Sequence, residues 1–459
     1  MRASWCNMWV IPLLLTGAAA SAGMGTQSHR VSVGAIDVIT YPTSVKDVVV
    51  IVGALPAGDA MGSPGNIAVP TLAGSMLDRG TKLLDKFAIA EQLDAVGASI
   101  SFAVGTQSLE IRAKCLTKDL PLVMGLIAAE LRTPALLPAE FAKAKQQFIG
   151  SLESSMQNTE GRAGEAFGRA VYAEGSPNRP HTIAEYLAAA KSATLDETKA
   201  FIAKYYGPAH LTLVLAGDVS APVSQAEVAR VFAGWSGGQD YIRPTSMGVS
   251  PGPRDIVVPL PGKPSVTVML GQATGLKYRD PDALALRVGT AVFGHGFTGR
   301  LMGTVRDKEG LTYNIGAGLA DDSIADGDWE ISASFAPALL DKGIASTRRE
   351  LNKWWADGIT ETELADRKQG LVGGYLVGLS TTGGVASTIL TSIQRGYDVG
   401  WLDQYPEAIK ALTRAQVNHA IKAHLEPSNM VLVKAGSVGT AAPAAPNAGA
   451  PTANTPDAR

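Results

Sequence analysis

The side chains that could do chemistry are few and mostly misplaced for it. The sequence holds six histidines, His29, His181, His210, His295, His419 and His424. A zinc site on one helix needs two of them four apart, so that both reach the metal from one face, with a carboxylate to activate the bound water. No pair has that spacing, and His419 and His424, five apart, point about 140° away from each other round a helix. His181 and Glu185 have helical spacing and read as a surface ion pair. In "LEIRAKC", Leu109, Ile111, Ala113 and Cys115 alternate with Glu110, Arg112 and Lys114. That period puts Cys115 on the apolar face of a strand, as a small core residue rather than a nucleophile. The glycine-rich "GHGFTG" (Gly294 to Gly299) lacks the Lys and following Ser/Thr of a phosphate loop. It reads as a tight strand–helix turn, with close approach of a peptide backbone as the alternative.

What remains is a pair of donors, Arg306 and Tyr313, in "FGHGFTGRLMGTVRDKEGLTYNIGAG" (Phe293 to Gly318). Thr298 is placed to cap a helix with Leu301, Met302 and Val305 as its inward stripe, and Gly310 to stop it. A strand from Leu311 would then carry Leu311, Tyr313 and Ile315 on one face. On spacing alone, Arg306 reads as a solvated charge paired with Glu309, and Tyr313 as a core residue. A second stretch, "VPTLAGSMLDRGT" (Val69 to Thr81), predicts one short helix of about three turns, with a Pro at its start, a polar Thr where a cap could sit and a Gly-Thr stop. Leu72, Met76 and Leu77 would pack beneath a sheet, leaving small side chains on the opposite face.

The elements that must position these residues occur twice. "ATLDETKAFIAKYYGPAHLTLVLAGDV" (Ala193 to Val219) aligns with the stretch from Leu412 to Val438, so that Thr194 meets Thr413, Ile202 meets Ile421, Pro208 meets Pro427 and Ala216-Gly217 meets Ala435-Gly436. Both copies read as helix, Pro-marked turn and apolar strand. "SLEIRAK" (Ser108 to Lys114) matches "DWEISAS" (Asp328 to Ser334), and "EFAKAKQQFIG" (Glu140 to Gly150) matches "ELADRKQGLVG" (Glu363 to Gly373). "DVVVIVG" (Asp47 to Gly53) matches "PSVTVMLG" (Pro264 to Gly271). The fold class is α+β: two homologous domains, each a mixed, mostly antiparallel sheet packed against helices. They span 28–235 and 255–438, joined by a Gly/Pro-rich linker, 236–254, and followed by a disordered Pro/Ala tail, 439–459.

Composition limits the functions. Of 459 residues 46% are hydrophobic and 18% charged, with a net charge of −2, so large cores can form and no basic cluster invites nucleic acid. "MRASWCNMWVIPLLLTGAAASA", with its single Arg, apolar run and Ala-Ser-Ala, reads as a cleaved signal peptide, 1–22. The run is too short for a membrane span and Pro12 interrupts it. Export to the periplasm or beyond, without stable membrane insertion, is the expectation.

With "GLTYNIGAG" and "YYGPAHLTLVLAGDV", this organisation resembles the insulinase-like (pitrilysin, M16) metallopeptidase family, and within it the short bacterial members that work in pairs. The resemblance runs from about Val31 to Val438. It implies two similar domains closing as a clam-shell around a chamber, with zinc on the first and a substrate-contacting Arg and Tyr opposite. The family's zinc helix carries His-x-x-Glu-His before a Met and a Gly-Thr. Counting back from Gly80-Thr81 through Met76 puts those positions on Thr71-Leu72-Ala73-Gly74-Ser75. Thr71 and Ser75 stand for the two His and Gly74 for the Glu, while a third ligand would fall at Ser151 to Glu153, where only Glu153 is a carboxylate. Hydroxyls are poor zinc ligands, so no metal cofactor is expected in this chain.

Arg306 and Tyr313, by contrast, match the family's Arg-x6-Tyr. The resemblance implies that they hold the substrate backbone and stabilise the oxyanion, worth a few kcal/mol each. The expectation is therefore a zinc-less, non-catalytic subunit of an exported heterodimeric peptidase. A zinc-bearing M16 paralogue would be its partner, peptides its substrates, and it would be inactive alone. The alternative is a non-enzymatic peptide-binding or scaffold protein on the same fold.

Overall fold

The computed structural model describes residues 23–62, 65–239 and 252–438. The signal-peptide segment, most of the linker and the Pro/Ala tail lie outside the described residues. The strands of the first half are β1 (His29–Val33), β2 (Ile36–Pro42), β3 (Val48–Leu55), β4 (Ser99–Val104), β5 (Leu109–Leu116) and β6 (Thr212–Gly217). They form one sheet in the order β1-β2-β6-β3-β5-β4. The second half contributes β7 (Asp255–Pro259), β8 (Val266–Ala273), β9 (Thr312–Ala320), β10 (Asp328–Phe335) and β11 (Val431–Gly436), in the order β7-β11-β8-β10-β9.

Composition explains the places in the sheets. The apolar runs β6 and β8 take interior positions, and every residue of β8 is buried, because helices cover both faces. Alternating β4 lies at an edge. Cys115 is buried on the inward face of β5, and burial pushes its thiol up to about 11, so it is the core residue its alternation predicts.

The duplication is visible in both sheets. The parallel pairs are β2 with β6 and β7 with β11; the other pairings are antiparallel. The helices before β6 and β11, Leu195–Tyr205 and Arg414–His424, both begin with a capping box, Thr194 with Glu197 and Thr413 with Gln416. Both strands end on a glycine at positive φ, 132° at Gly217 and 146° at Gly436. A Cβ there would meet the carbonyl oxygen of Val48 at 2.1 Å or of Ser265 at 2.8 Å, so the repeated Ala-Gly records a backbone contact no other residue permits.

Besides a core of its own, each half shares a hydrophobic cluster with the other. The helix Thr159–Val171 belongs to the first half, yet Phe167, Ala170 and Val171 pack against Met269, Val431, Val433 and Ala435 of the second sheet. The helix Thr382–Gln394 belongs to the second half, yet Val385, Ala386, Ile389 and Leu390 cover Ile39, Val52, Val214 and Ala216 of the first sheet. Each sheet thus has one face closed by its own helices and the other by a helix from across the linker. The division at 236–254 leaves each half a main core of its own, and two further clusters cross it. The start of the described chain is also tied to the second half: the amides of Met24 and Gly25 donate to the Asp403 carboxylate at 2.7 and 2.9 Å.

Candidate functional site

The stretch Val69 to Thr81 is broken rather than one continuous helix. An α-helix covers Val69–Gly74 and a separate 3-10 turn covers Leu77–Arg79. Pro70 sits in the first turn, but no side chain caps the helix. Thr71 Oγ1 instead donates to Asp59 Oδ1 at 2.9 Å, and Ser75 Oγ donates to the carbonyl of Leu72 at 2.8 Å. Leu72, Met76 and Leu77 are fully buried beneath the first sheet, as the pattern predicts. Gly74 is buried too, and a Cβ on it would lie 2.3 Å from Val104 Cγ2 on β4.

The residues at the zinc positions therefore do not fit a zinc ion. Two are hydroxyls already engaged inside the fold, and the third has no side chain and no room for one. Glu153 is exposed, 3.8 Å from Lys191. Among the described residues no cluster of three or more His, Cys, Asp or Glu side chains is arranged to hold a metal. His181 lies 3.9 Å from Glu185, an exposed i,i+4 pair. His424 contacts Asp282 at 2.9 Å.

Arg306 and Tyr313 are brought together, by devices the sequence does not announce. The turn "GHGFTG" follows a helix, Ala283–Gly294, rather than a strand. It leads into a π-helix, Met302–Lys308, whose Leu301, Met302 and Val305 form the expected buried stripe. Thr298 does not cap it; its hydroxyl accepts from Arg367 at 3.1 Å. The wider π turn ends at Gly310, at φ 63°. Strand β9 then starts one residue later than expected, at Thr312, with a bulge: Thr312 pairs with Phe335 and Asn314 with Ser334, leaving Tyr313 as the extra residue.

That bulge undoes the predicted alternation. Ile315 is buried, whereas Tyr313 is 85% exposed and so is not a core residue. The Arg306 guanidinium lies 5.3 Å from the Tyr313 ring centroid and 5.2 Å from that of Phe297, itself 73% exposed. Arg306 does not pair with Glu309, which is held by Arg349; its nearest carboxylate is Asp307, at 3.8 Å. The result is a clip that brings Phe297 of the turn and Arg306 of the π-helix against the exposed Tyr313 on β9, the edge strand of the second sheet. Phe297 was not singled out by sequence reasoning; a large aromatic between glycines in "GHGFTG" was the available signal.

A cavity of about 1460 Å³ takes its walls from loops and helices of the first half and from the second sheet, and neither Arg306 nor Tyr313 lines it. The first half supplies Asp59, Thr106 and Gln107, together with Glu160, Glu165 and Glu185; the second supplies Asp321, Asp328, Glu330 and Ser332. Asp59 joins the cavity to the helix Val69–Gly74. Its carboxyl accepts from Thr71 and Tyr186, and burial outweighs those bonds, raising it to about 6. On β10, Asp328, Glu330 and Ser332 face the cavity while Trp329, Ile331 and Ala333 face the core.

Asp328 is held well above the usual carboxylate range by burial and then by the Glu330 charge, and it accepts from the Tyr172 hydroxyl at 2.6 Å. Burial, then the Asp321 charge, raises Glu330 to about 7. The signal for these carboxylates lay in the alternation of "DWEISAS", whose polar positions had to face something other than the core.

Comparisons with known proteins agree with this architecture. Residues 192–371 match the family model described as the peptidase M16 inactive domain, a stretch that includes Arg306 and Tyr313 but not residues 71–75. An uncharacterized zinc protease of Streptomyces coelicolor is 24% identical over 68% of this chain and 69% of its own length. A non-peptidase homolog, YmxG of Helicobacter pylori, is 21% identical over 82% of this chain and 86% of its own. The crystal structure of a peptidase M16 inactive domain from Pseudomonas fluorescens superposes with a TM-score of 0.83 at 23% identity, covering 90% of this chain and 99% of that one. The crystal structure of a protease from Helicobacter pylori gives 0.78 at 18% identity, covering 89% and 98%.

Proposed function

We propose that this chain, a zinc-less homologue in the M16 peptidase family, serves as the non-catalytic subunit of an exported two-chain peptidase. Its partner would be an M16 paralogue carrying His-x-x-Glu-His and the zinc. The observation that carries the reading is a contrast within one molecule. The zinc positions Thr71, Gly74 and Ser75 are absorbed into the first half's own packing, while Tyr313 stands exposed on an edge strand with the Arg306 guanidinium against its ring. A tyrosine kept out of the core by a β-bulge, with a guanidinium beside it, is a pair of donors waiting for an acceptor.

In this reading the Tyr313 hydroxyl and the Arg306 guanidinium donate to the carbonyl oxygen of a peptide held between the two subunits. Donors fixed in place before reaction favour the negative charge that develops on that oxygen. Phe297 narrows the approach and keeps the guanidinium oriented by lying against it.

The test begins with mild affinity purification of the tagged chain from its native envelope and mass spectrometry of what accompanies it. A roughly equimolar partner bearing His-x-x-Glu-His supports the reading. In the reconstituted pair, Arg306→Ala and Tyr313→Phe should each lower kcat/KM for an unfolded peptide by about 10²-fold, with zinc content unchanged. Recovery of this chain alone would overturn it in favour of a non-enzymatic peptide-binding protein. That second reading draws support from the cavity enclosed by this chain itself and from the similarity to YmxG. Sequencing the amino terminus of the native protein tests export, with Gly23 the expected first residue.

A further inference from the structure

We infer that a second cavity, of about 320 Å³, bordered by the helices Glu361–Gly378, Thr382–Gln394 and Trp401–Ala411, binds a carboxylate carried on an apolar or aromatic body. Tyr278, Tyr375, Tyr397, Trp401 and Tyr405 line it with Arg395, and a row of Ser and Thr hydroxyls on the helix Thr382–Gln394 completes the wall. The aromatic walls are fixed before any ligand arrives. Tyr397 and Trp401 stack at 4.6 Å between centroids, and Tyr375 and Tyr405 lie 4.9 Å apart. The Tyr375 hydroxyl donates to the Leu402 carbonyl at 2.8 Å, and the Tyr278 and Tyr405 hydroxyls bond to each other. These contacts hold the rings in place and leave the space between them open.

The charge in this cavity is unbalanced. Arg287, which lies over the Tyr278 ring, is neutralised by Asp322. Arg395 lies over the same ring, 3.6 Å from its centroid, and spends its Nε on the Ser323 hydroxyl at 3.2 Å. No salt bridge among the described residues closes on Arg395. Burial lowers the affinity of both guanidiniums for their protons, so a half-buried cation is held here without an anion to offset its lost hydration.

A guanidinium fork with its Nη groups uncommitted matches a carboxylate, and five aromatic side chains match an apolar body attached to it. One cation is a poor charge match for a multiply charged phosphate, although the hydroxyls of Ser387, Thr388, Thr391 and Ser392 on the helix Thr382–Gln394 could donate to either anion, so phosphate belongs among the probes. The volume lies at the low end of small-molecule sites, enough for one aromatic acid or the last residue of a peptide.

The site is one loop away from the acidic cavity. Asp322 and Ser323 hold the two arginines, while the carbonyls of Asp321 and Asp326 accept from Asn178 Nδ2 at 2.9 and 2.8 Å, and Asn178 and Asp321 line the larger cavity. An occupant that draws Arg395 off Ser323 therefore acts on a loop bordering both spaces. The inference stands independently of the proposed subunit role.

Isothermal titration of the mature chain tests it, with N-acetylphenylalanine, its neutral amide and inorganic phosphate as probes. A hexapeptide ending in Phe, with free or amidated carboxyl, completes the set. The acid should bind with a dissociation constant below about 1 mM, and the amide at least about 10-fold more weakly. Arg395→Gln should abolish the difference. Tighter binding of the free-carboxyl hexapeptide than of the single amino acid identifies a peptide terminus as the ligand; weaker binding identifies a free aromatic acid. Equal binding of acid and amide to the unaltered protein, no heat with the acid, or phosphate binding as tightly as the acid would each overturn the assignment. The acid–amide comparison needs no variant, so it decides the matter even if Arg395→Gln fails to fold.

Discussion

Gly74 decides whether the helix Val69–Gly74 could be made into a metal site. Its Cβ position is occupied by Val104, and the position is buried, so a carboxylate there would be both overpacked and desolvated. Gly74→Glu is expected to cost about 3 kcal/mol or more in urea denaturation. The triple change Thr71→His, Gly74→Glu and Ser75→His should yield protein with far less than stoichiometric zinc by metal analysis. Substitutions on the clip should behave oppositely: Tyr313→Phe, fully out of the core, is expected to shift stability by no more than about 0.5 kcal/mol.

At this scale residue types and spacing alone read Arg306 as a solvated charge and Tyr313 as a core residue; it is the resemblance that singles out Thr71, Gly74, Ser75, Arg306 and Tyr313. Neither tells that Tyr313 occupies a bulge. The bulge depends on how Ser334 and Phe335 pair with β9, a contact between residues about twenty positions apart.

Among the elements, the exchanged helices are the part that sequence patterning leaves open. The strands were legible because a continuous apolar run such as β8 can only be an interior strand, and the matched helix–Pro–strand units located β6 and β11 in advance. Thr159–Val171 is amphipathic, which says that one face is buried but not against what. The structure supplies the answer, and it leads to a prediction. Phe167→Ala removes a fully buried ring from the contact with Met269, Val431 and Val433, and should destabilise by about 3–5 kcal/mol. Its effect on hydrogen exchange should concentrate in β8 and β11, on the far side of the linker, rather than in β3 and β6.

For the whole molecule, two expectations follow from shared interiors. Residues 23–239 expressed alone would leave Ile39, Val52, Val214 and Ala216 uncovered, and residues 252–438 alone would leave Met269, Val431, Val433 and Ala435 uncovered. Neither fragment should be soluble by itself, whereas co-expression should recover a one-to-one particle on size exclusion. The second expectation is a pH dependence to which the acidic cavity contributes, alongside the buried Glu130, whose carboxyl burial raises to about 8. Asp59 and Glu330 bind their protons more tightly folded than unfolded, so their favourable contribution is complete below the ordinary carboxylate range. It is lost as pH rises through about 6 and about 7. The urea midpoint should fall between pH 5 and pH 7.5, and Glu330→Gln should recover on the order of 2 kcal/mol of that drop.

The exchange of helices also constrains how such a chain could have arisen. A single ancestral repeat would have carried a sheet face with nothing over it and a helix with nothing beneath it. Two copies answer each other's need, each lending the helix that covers the other's sheet, so the linker acts as a tether between parts that the shared interior already holds together.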